Sequence, residues 1–243
     1  MREITSVTNA YVKDLAKLHD KKNRDSARKF LIEGYHLVQE AKNADLLEEV
    51  LIVDINDEVM GVTNTLVTKE IIGKLSKTKS PQDIMGICRY NNDDKLFGKR
   101  LLLLDNISDP GNLGTIIRTA LGFNIDGIVL SEACVDLYND KVLRGTQGAI
   151  FKIPIFRADL KNVIQDLKSR DIFIIGTALL NSQEIHELKR KDNFALILGN
   201  EANGISEDIL ALTDVNVKIA INEQLESLNV AIAGAILMFY LTN

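Results

Sequence analysis

The chain has 243 residues, 46% hydrophobic and 26% charged, with a formal net charge of −5 from 29 Lys and Arg against 34 Asp and Glu. This is ordinary globular composition with room for a sizeable core, and its acidity argues against non-specific polyanion binding, although local patches outweigh the sum. Two cysteines, Cys88 and Cys134, exclude a disulfide framework or a metal-binding spacing and read as buried free thiols of a reducing cytosol.

The N-terminus MREITSVTNA lacks an apolar h-region, and the longest apolar run, Val230 to Leu241, is too short to span a bilayer. The expected location is therefore cytoplasmic. The first thirty residues are basic, with Arg2, Lys13, Lys17, Lys21, Lys22, Arg24, Arg28 and Lys29 against four carboxylates. Such a stretch is either a solvated helix face or a phosphate-contacting arm.

In chain order, a helix is expected at Asn9–Asp20, a strand at Lys29–Ile32, a helix at Tyr35–Ala44 and a strand at Glu49–Val53. Ile71, Ile72 and Leu75 share one face of a predicted helix at Val67–Leu75, and Ile84–Tyr90 reads as a strand. The polar stretch Asn91–Lys99 is the predicted linker, dividing an N-terminal domain (1–92) from a second domain (99–243). Beyond it the apolar runs Leu101–Leu104, Gly127–Leu130, Phe151–Phe156, Ile172–Gly176, Ala195–Leu198 and Val215–Ile219 alternate with helical patterns at Asn112–Gly122, Val135–Arg144, Leu160–Ser169, Ser206–Leu212 and Ser227–Leu241. Continuous apolarity implies strands buried on both faces, hence an α/β fold with a parallel sheet under helices. The last helix has no polar face. It is either wholly buried or shared between this chain and a second copy.

Three polar segments stand out: Asp105–Arg118, Gly199–Ser206 and Glu226–Gly234. Each follows an apolar strand, where ligands sit in open parallel sheets. Neither G-x-G-x-x-G nor G-x-x-x-x-G-K-[ST] occurs in the first. Asp109-Pro110-Gly111 makes a turn there, and Asn112 is placed to cap the next helix. On that helix Ile116, Ile117, Ala120 and Leu121 form the buried side, while Arg118 lies off it between Gly114 and Gly122, which let a ligand come close. In the second segment Glu201 is a lone carboxylate, Asn203-Gly204 a turn and Ser206 a helix cap. In the third, Ser227 is a possible cap, and Asn229 needs a partner at the start of an apolar helix. The three histidines (His19, His36 and His186) have no motif partners and read as surface or satisfied side chains.

Taken together, N-x-x-D-P-x-N-x-G-x-x-x-R-x-A-x-x-F, G-N-E-x-x-G-[IL]-S and S-L-N-V-x-x-A resemble, in order and spacing, the three motifs of the SpoU/TrmH family of the SPOUT class. These are S-adenosylmethionine-dependent RNA ribose 2′-O-methyltransferases. The stretches FLIEG (Phe30–Gly34) and Leu75–Gln82 resemble the family's substrate-binding domain, so the likeness covers nearly the whole chain. Ala202 and Ala231 depart from its pattern, standing where Gly and Ser are common, and Thr146 in Arg144–Ala149 replaces the usual Ser.

The resemblance implies a SPOUT domain with a C-terminal trefoil knot, otherwise very rare in proteins, preceded by a small α/β RNA-binding domain similar to a ribosomal-protein fold. It implies 23S rRNA as substrate, with a tRNA methyltransferase or a non-catalytic assembly factor as alternatives, and a homodimer with the active site across its interface. It makes Arg118 catalytic, with Asn112, Glu201, Ser227 and Asn229 shaping the site, and no metal. It places S-adenosylmethionine against the backbone at Thr177, Gly199, Ile219, Ile221 and Leu228, and RNA against Arg24, Arg28 and Lys29. A guanidinium rarely loses its proton, so the expected role of Arg118 is to orient the phosphate and 2′-oxygen and stabilise developing alkoxide charge.

Overall fold

The computed structural model describes residues 1–91 and 98–243, so most of the predicted linker lies outside the described residues. Two compact units emerge, one of the residues up to 91 together with Asp136–Phe151, the other of the remainder. The expected second domain is thus interrupted: sixteen of its residues pack with the first unit.

In the first unit, β1 (Arg2–Ile4) leads to α1 (Ala10–Lys17) and α2 (Lys21–Ala27), followed by β2 (Lys29–Glu33), α3 (Tyr35–Asn43), β3 (Leu47–Ile52), β4 (Thr63–Val67), α4 (Lys69–Leu75) and β5 (Ile84–Arg89). The helix expected at Asn9–Asp20 is α1, ending three residues early; beyond it Asp20 turns its carboxylate onto the Lys22 N–H and opens α2, which the pattern did not predict. The five strands lie in the order β1-β4-β3-β5-β2, parallel at β1, β4 and β3 and antiparallel on both sides of β5. The predicted face of Ile71, Ile72 and Leu75 is fully buried with Val12 and Leu15 of α1 against Leu51, Met85 and Ile87 of the sheet.

The second unit opens with β6 (Arg100–Leu104), α5 (Pro110–Gly122) and β7 (Gly127–Leu130). The chain then contributes Asp136–Phe151, with α6 (Asp140–Thr146), to the first unit. Asn139 caps α6, so this helix starts five residues later than the periodicity predicts. Aromatic packing explains the attachment: the Tyr138 ring lies 4.4 Å from that of Phe30 and 4.1 Å from that of Tyr90.

The remaining elements are β8 (Ile155–Arg157), α7 (Leu160–Ser169), β9 (Phe173–Thr177), β10 (Gln183–Glu184), β11 (Phe194–Leu198), α8 (Glu207–Leu210), β12 (Val215–Lys218) and α9 (Val230–Thr242). Every strand pairing in this sheet is parallel, in the order β10-β12-β9-β11-β6-β7-β8. Its central strands are inaccessible to solvent, as continuous apolarity requires. The run Phe151–Phe156 is only partly strand, since Ala149–Phe151 forms a 3₁₀ turn of the first unit.

Helix α9 packs on α5 and β11. Gly234 sits at the crossing, where a Cβ would fall 2.7 Å from Leu198 Cδ1. The helix is not wholly buried: Ile232, Ile236 and Phe239 form an exposed stripe, Phe239 at 57%. No helix among the described residues is long and apolar enough to cross a membrane.

Candidate active site

Strands β6 and β11 are neighbours with Leu104 opposite Leu198, which sets the first two polar segments side by side at the carboxyl ends of the sheet. Asp105, buried at 3% exposure, accepts the Ser206 N–H at 2.8 Å and its hydroxyl at 2.7 Å. Ser206 therefore spends its side chain on the neighbouring strand end instead of capping α8. The Asn200 amide donates to the Asn106 carbonyl at 2.8 Å, and Asn200 and Gly204 exchange two 2.9 Å backbone bonds. This closes the second loop onto its own stem. A Cβ on Gly199 would lie 2.2 Å from Gly204 C and Ile205 N, so only glycine fits there.

Inside this frame the Glu201 carboxylate collects the Ser108 hydroxyl at 2.9 Å, the Asn112 amide at 3.0 Å and longer N–H contacts of 3.3 Å from Ser108 and Asp109. Burial acts to raise its pKa, but the hydrogen bonds from Asn112, its own backbone and Ser108 outweigh burial and hold the group below the ordinary glutamate value. Asp109, not Asn112, caps α5, accepting the Asn112 N–H at 2.8 Å, with Pro110 at the first turn. That frees the Asn112 side chain to bridge, its amide to Glu201 and its carbonyl oxygen to the Asn229 amide at 2.9 Å. Asn229 in turn caps α9 through the N–H groups of Ala231 and Ile232. Ser227, the alternative cap, lies two residues earlier, exposed and without a hydrogen bond among the described residues. One line of hydrogen bonds, Glu201–Asn112–Asn229, thus joins all three segments. Ala202 is exposed in its loop, and Ala231 is buried beside Asn229, where only a small side chain is accommodated at the cap.

Arg118 is not part of this line. It follows Asn112 by six positions, about 9 Å along the helix axis and on a different face. The guanidinium is exposed and makes no hydrogen bond or ion pair among the described residues. Its helix buries Ile116, Ile117 and Ala120 as expected, but Leu121 is only half-buried and Gly114 is buried, so of the two glycines flanking Arg118 Gly122 is the exposed one.

Of the residues expected at the cofactor, Thr177, Gly199, Ile219 and Ile221 lie at or just past the ends of β9, β11 and β12, consecutive in the order β12-β9-β11, while Leu228 lies just before α9. The Thr177 hydroxyl is spent on the Ile197 carbonyl at 3.1 Å, and the residue pairs with Val217 at the end of β9. Ile219, Ile221 and Leu228 are half-buried, and their backbone groups have no partner among the described residues. Partly buried backbone polar groups in want of partners, at the carboxyl ends of parallel strands, form a cradle that suits a ligand held by main-chain hydrogen bonds.

The three expected RNA contacts fare differently. Arg24 is buried at 6% exposure, ion-paired with Asp136 and bonded to the Leu18 carbonyl, so it does not project from the surface as an outstretched RNA-contacting arm. Arg28 ends α2 in the left-handed region and stacks over the Tyr90 ring at 4.8 Å. Lys29 pairs with Glu48 at 2.7 Å. Of the histidines, His36 and His186 have partners, but His19 Nε2 is buried without one. Both cysteines are free and buried. Asp105 and Ser108 were missed from sequence. The available signal was a carboxylate placed directly after an apolar strand.

Comparison with known proteins agrees with this geometry. A model described as the SpoU rRNA methylase family matches residues 99–239, and one described as an MRM3-like substrate binding domain matches residues 9–86. The chain is 39% identical, over 99% of both chains, to the 23S rRNA (guanosine(2553)-2′-O)-methyltransferase RlmP of Bacillus subtilis. It is 30% identical, over 97% of this chain and 92% of the other, to an uncharacterized tRNA/rRNA methyltransferase of Synechocystis. The fold superposes on that of an AdoMet-bound rRNA methyltransferase from Sinorhizobium meliloti with a TM-score of 0.89 at 29% identity, covering 98% and 96% of the two chains. With three motif loops joined at the sheet's carboxyl end and these matches along its length, the chain belongs to the SpoU rRNA methylase family.

Proposed function

We propose that this protein methylates a ribose 2′-hydroxyl of 23S rRNA, using S-adenosylmethionine and acting as a homodimer. The observation that carries the reading is the convergence of the three polar segments on the Glu201–Asn112–Asn229 line, with an arginine further along the Asn112 helix that has no partner among the described residues. Full-length similarity to a 23S rRNA 2′-O-methyltransferase supports the substrate, and the guanosine that relative methylates is the first position to examine.

S-adenosylmethionine, held by the backbone at Thr177, Gly199, Ile219, Ile221 and Leu228, supplies an electrophilic methyl group. The protein's task is alignment of the attacking 2′-oxygen, which needs neither a metal nor a covalent enzyme intermediate. Arg118 orients the 2′-oxygen and its neighbouring phosphate, and its fixed charge stabilises the alkoxide character that develops as the hydroxyl proton passes to solvent water, the O–C bond forming as the C–S bond breaks and the thioether leaves. Glu201 and the two asparagines hold the loops that frame the reacting ribose. The threading of the C-terminal segment into a knot belongs to this reading and rests on the family resemblance of the three motifs.

Dimerisation is supported by the exposed stripe of Ile232, Ile236 and Phe239 on α9, next to Phe123 of α5 with ring centroids 6.0 Å apart. A site completed across the dimer accounts for an Arg118 left unengaged by its own Asn112 line. The test is transfer of labelled methyl from S-adenosylmethionine to 23S rRNA and to tRNA, with the modified nucleotide mapped. Label on rRNA ribose, lost in Arg118→Ala, is the expected result. Label on tRNA alone, or on neither, overturns the reading. Mixing Arg118→Ala with Asn112→Ala protein is expected to restore part of the activity if the partner copy completes each site.

A further inference from the structure

The two N-terminal stretches that methyl transfer leaves without a role meet at one place. Leu31, Ile32 and Glu33 from the first, and Leu75 and Lys77 from the second, line a cavity of about 80 Å³ in the first unit. Its other wall comes from the Asp136–Phe151 segment, through Tyr138, Asn139, Asp140 and Arg144. The lining mixes apolar side chains with charged and polar ones.

The carboxylates there are already committed. Glu33 accepts the Ser76 hydroxyl at 2.6 Å, the Thr78 hydroxyl at 2.9 Å and the Gln82 N–H at 3.0 Å, and Asp140 accepts Arg144 at 2.7 Å. Two groups remain unspent that can donate to a ligand, Arg24 Nε–H and the Lys77 ammonium. Arg24 Nε–H is buried and has no partner, although the same guanidinium serves Asp136 and Leu18. His19 Nε2 is also buried and unpartnered. The Lys77 ammonium makes no hydrogen bond or ion pair among the described residues. Burial, then Lys77, and more weakly Arg24, hold the His19 pKa below its ordinary value, against opposing effects of the Leu75 backbone and Asp140. A buried donor without an acceptor is costly and calls for one. The cavity has room for several waters, and so for a tetrahedral oxyanion.

We propose that this cavity receives a phosphate group of the RNA backbone, held by Arg24 Nε–H and the Lys77 ammonium with His19 on its wall. The proposal rests on the reading of the chain as an RNA methyltransferase and adds the contact by which its N-terminal unit grips the substrate. A phosphate accepts charge-assisted hydrogen bonds from an arginine and a lysine at once. RNA is the source argued for because Lys77, at the mouth, is exposed, and because the unit matches a substrate-binding domain.

The test uses the full-length protein, Lys77→Ala, and Lys79→Ala as a control on the same loop outside the cavity lining. Binding of a 23S rRNA transcript is measured by fluorescence anisotropy over a range of salt concentrations. Lys77→Ala is expected to bind about fivefold to tenfold more weakly at low salt, with a log–log salt slope shallower by about one, while Lys79→Ala keeps the wild-type slope. KM for RNA should rise with kcat and S-adenosylmethionine affinity unchanged. In parallel, the Arg24 Nε–H resonance is followed during titration with the transcript and with inorganic phosphate.

A shift with RNA that Lys77→Ala weakens supports the proposal. An unchanged salt slope, or a resonance indifferent to both probes as water filling would leave it, overturns it. A response to inorganic phosphate combined with indifference to RNA overturns the RNA source. Absence of methyl transfer by the wild-type protein would sink the proposed function, while the binding slope would still report on the cavity.

Discussion

Two parts of the same site differ in how their polar groups are used. Glu201, Asn112, Asn229, Asp105 and Ser206 spend their side chains on one another and on helix starts. Arg118, Ser227 and the backbone of Ile219 and Ile221 have no partners among the described residues. The first group is a frame that sets loop positions, and the second is the set that the proposed function assigns to ligands. A motif residue's identity therefore does not reveal its job. Partnership does, because a side chain whose hydrogen bonds are filled has little left to offer a substrate.

The sharpest break between the two groups is expected at Arg118. Replacing it by alanine should lower kcat for methyl transfer by about 10²–10³-fold, as loss of a charge-stabilising donor does. The thermal midpoint should stay at the wild-type value, because the side chain holds nothing in place. A matching fall in melting temperature would erase the distinction. Arg118→Lys keeps the charge and loses the planar fork, and near-normal activity across a pH–rate profile would show that fork geometry is irrelevant.

On the frame side, Gly199→Ala has the largest expected cost. Its new methyl would lie 2.2 Å from the loop's own backbone, so the hairpin must open. Circular dichroism melting and S-adenosylmethionine binding should both deteriorate, and retention of either at wild-type level would show that the loop relaxes freely.

Asn112→Ala should come next. It strips a donor from Glu201 and an acceptor from Asn229, a loss of about 1–2 kcal/mol by denaturant titration. Asn229→Ala removes a helix cap, for about 1 kcal/mol. If the two form one line, the double variant should cost less than the sum of the singles, and strict additivity would separate them.

The smallest effect concerns pH. The Glu201 pKa is depressed in the folded protein, so its contribution to stability is fully present above the unfolded-state value and is lost as pH falls through the folded value. Acid titration of stability should therefore show a milder loss in Glu201→Gln than in wild type, confined to the range below the ordinary glutamate pKa. Equal acid sensitivity would mean that this carboxylate is not held.

Much of the architecture was legible because burial leaves a periodic trace. The buried strands of the second unit read as continuous apolar runs, and Gly127–Leu130 and Leu160–Ser169 match their predicted bounds. Helix starts were less legible, because several polar residues compete for one cap. Asn112 and Ser227 were plausible caps, yet Asp109 and Asn229 hold those places. The strands Arg2–Ile4 and Gln183–Glu184 were too short to show a pattern and exist by pairing with distant partners.

The sequence by itself determined the alternation of apolar strands and helices, the three polar segments and their order. Local periodicity and turn chemistry write these directly into neighbouring residues. Only the tertiary structure decided which polar side chains are consumed in holding the loops, that Arg24 is buried against Asp136, and that Asp136–Phe151 packs with the first unit. Those outcomes depend on contacts between residues as much as 117 positions apart, such as Asn112 and Asn229. No local pattern encodes them, because a hydrogen-bonding side chain has the same identity whether its partner is a neighbour, a distant loop or a ligand.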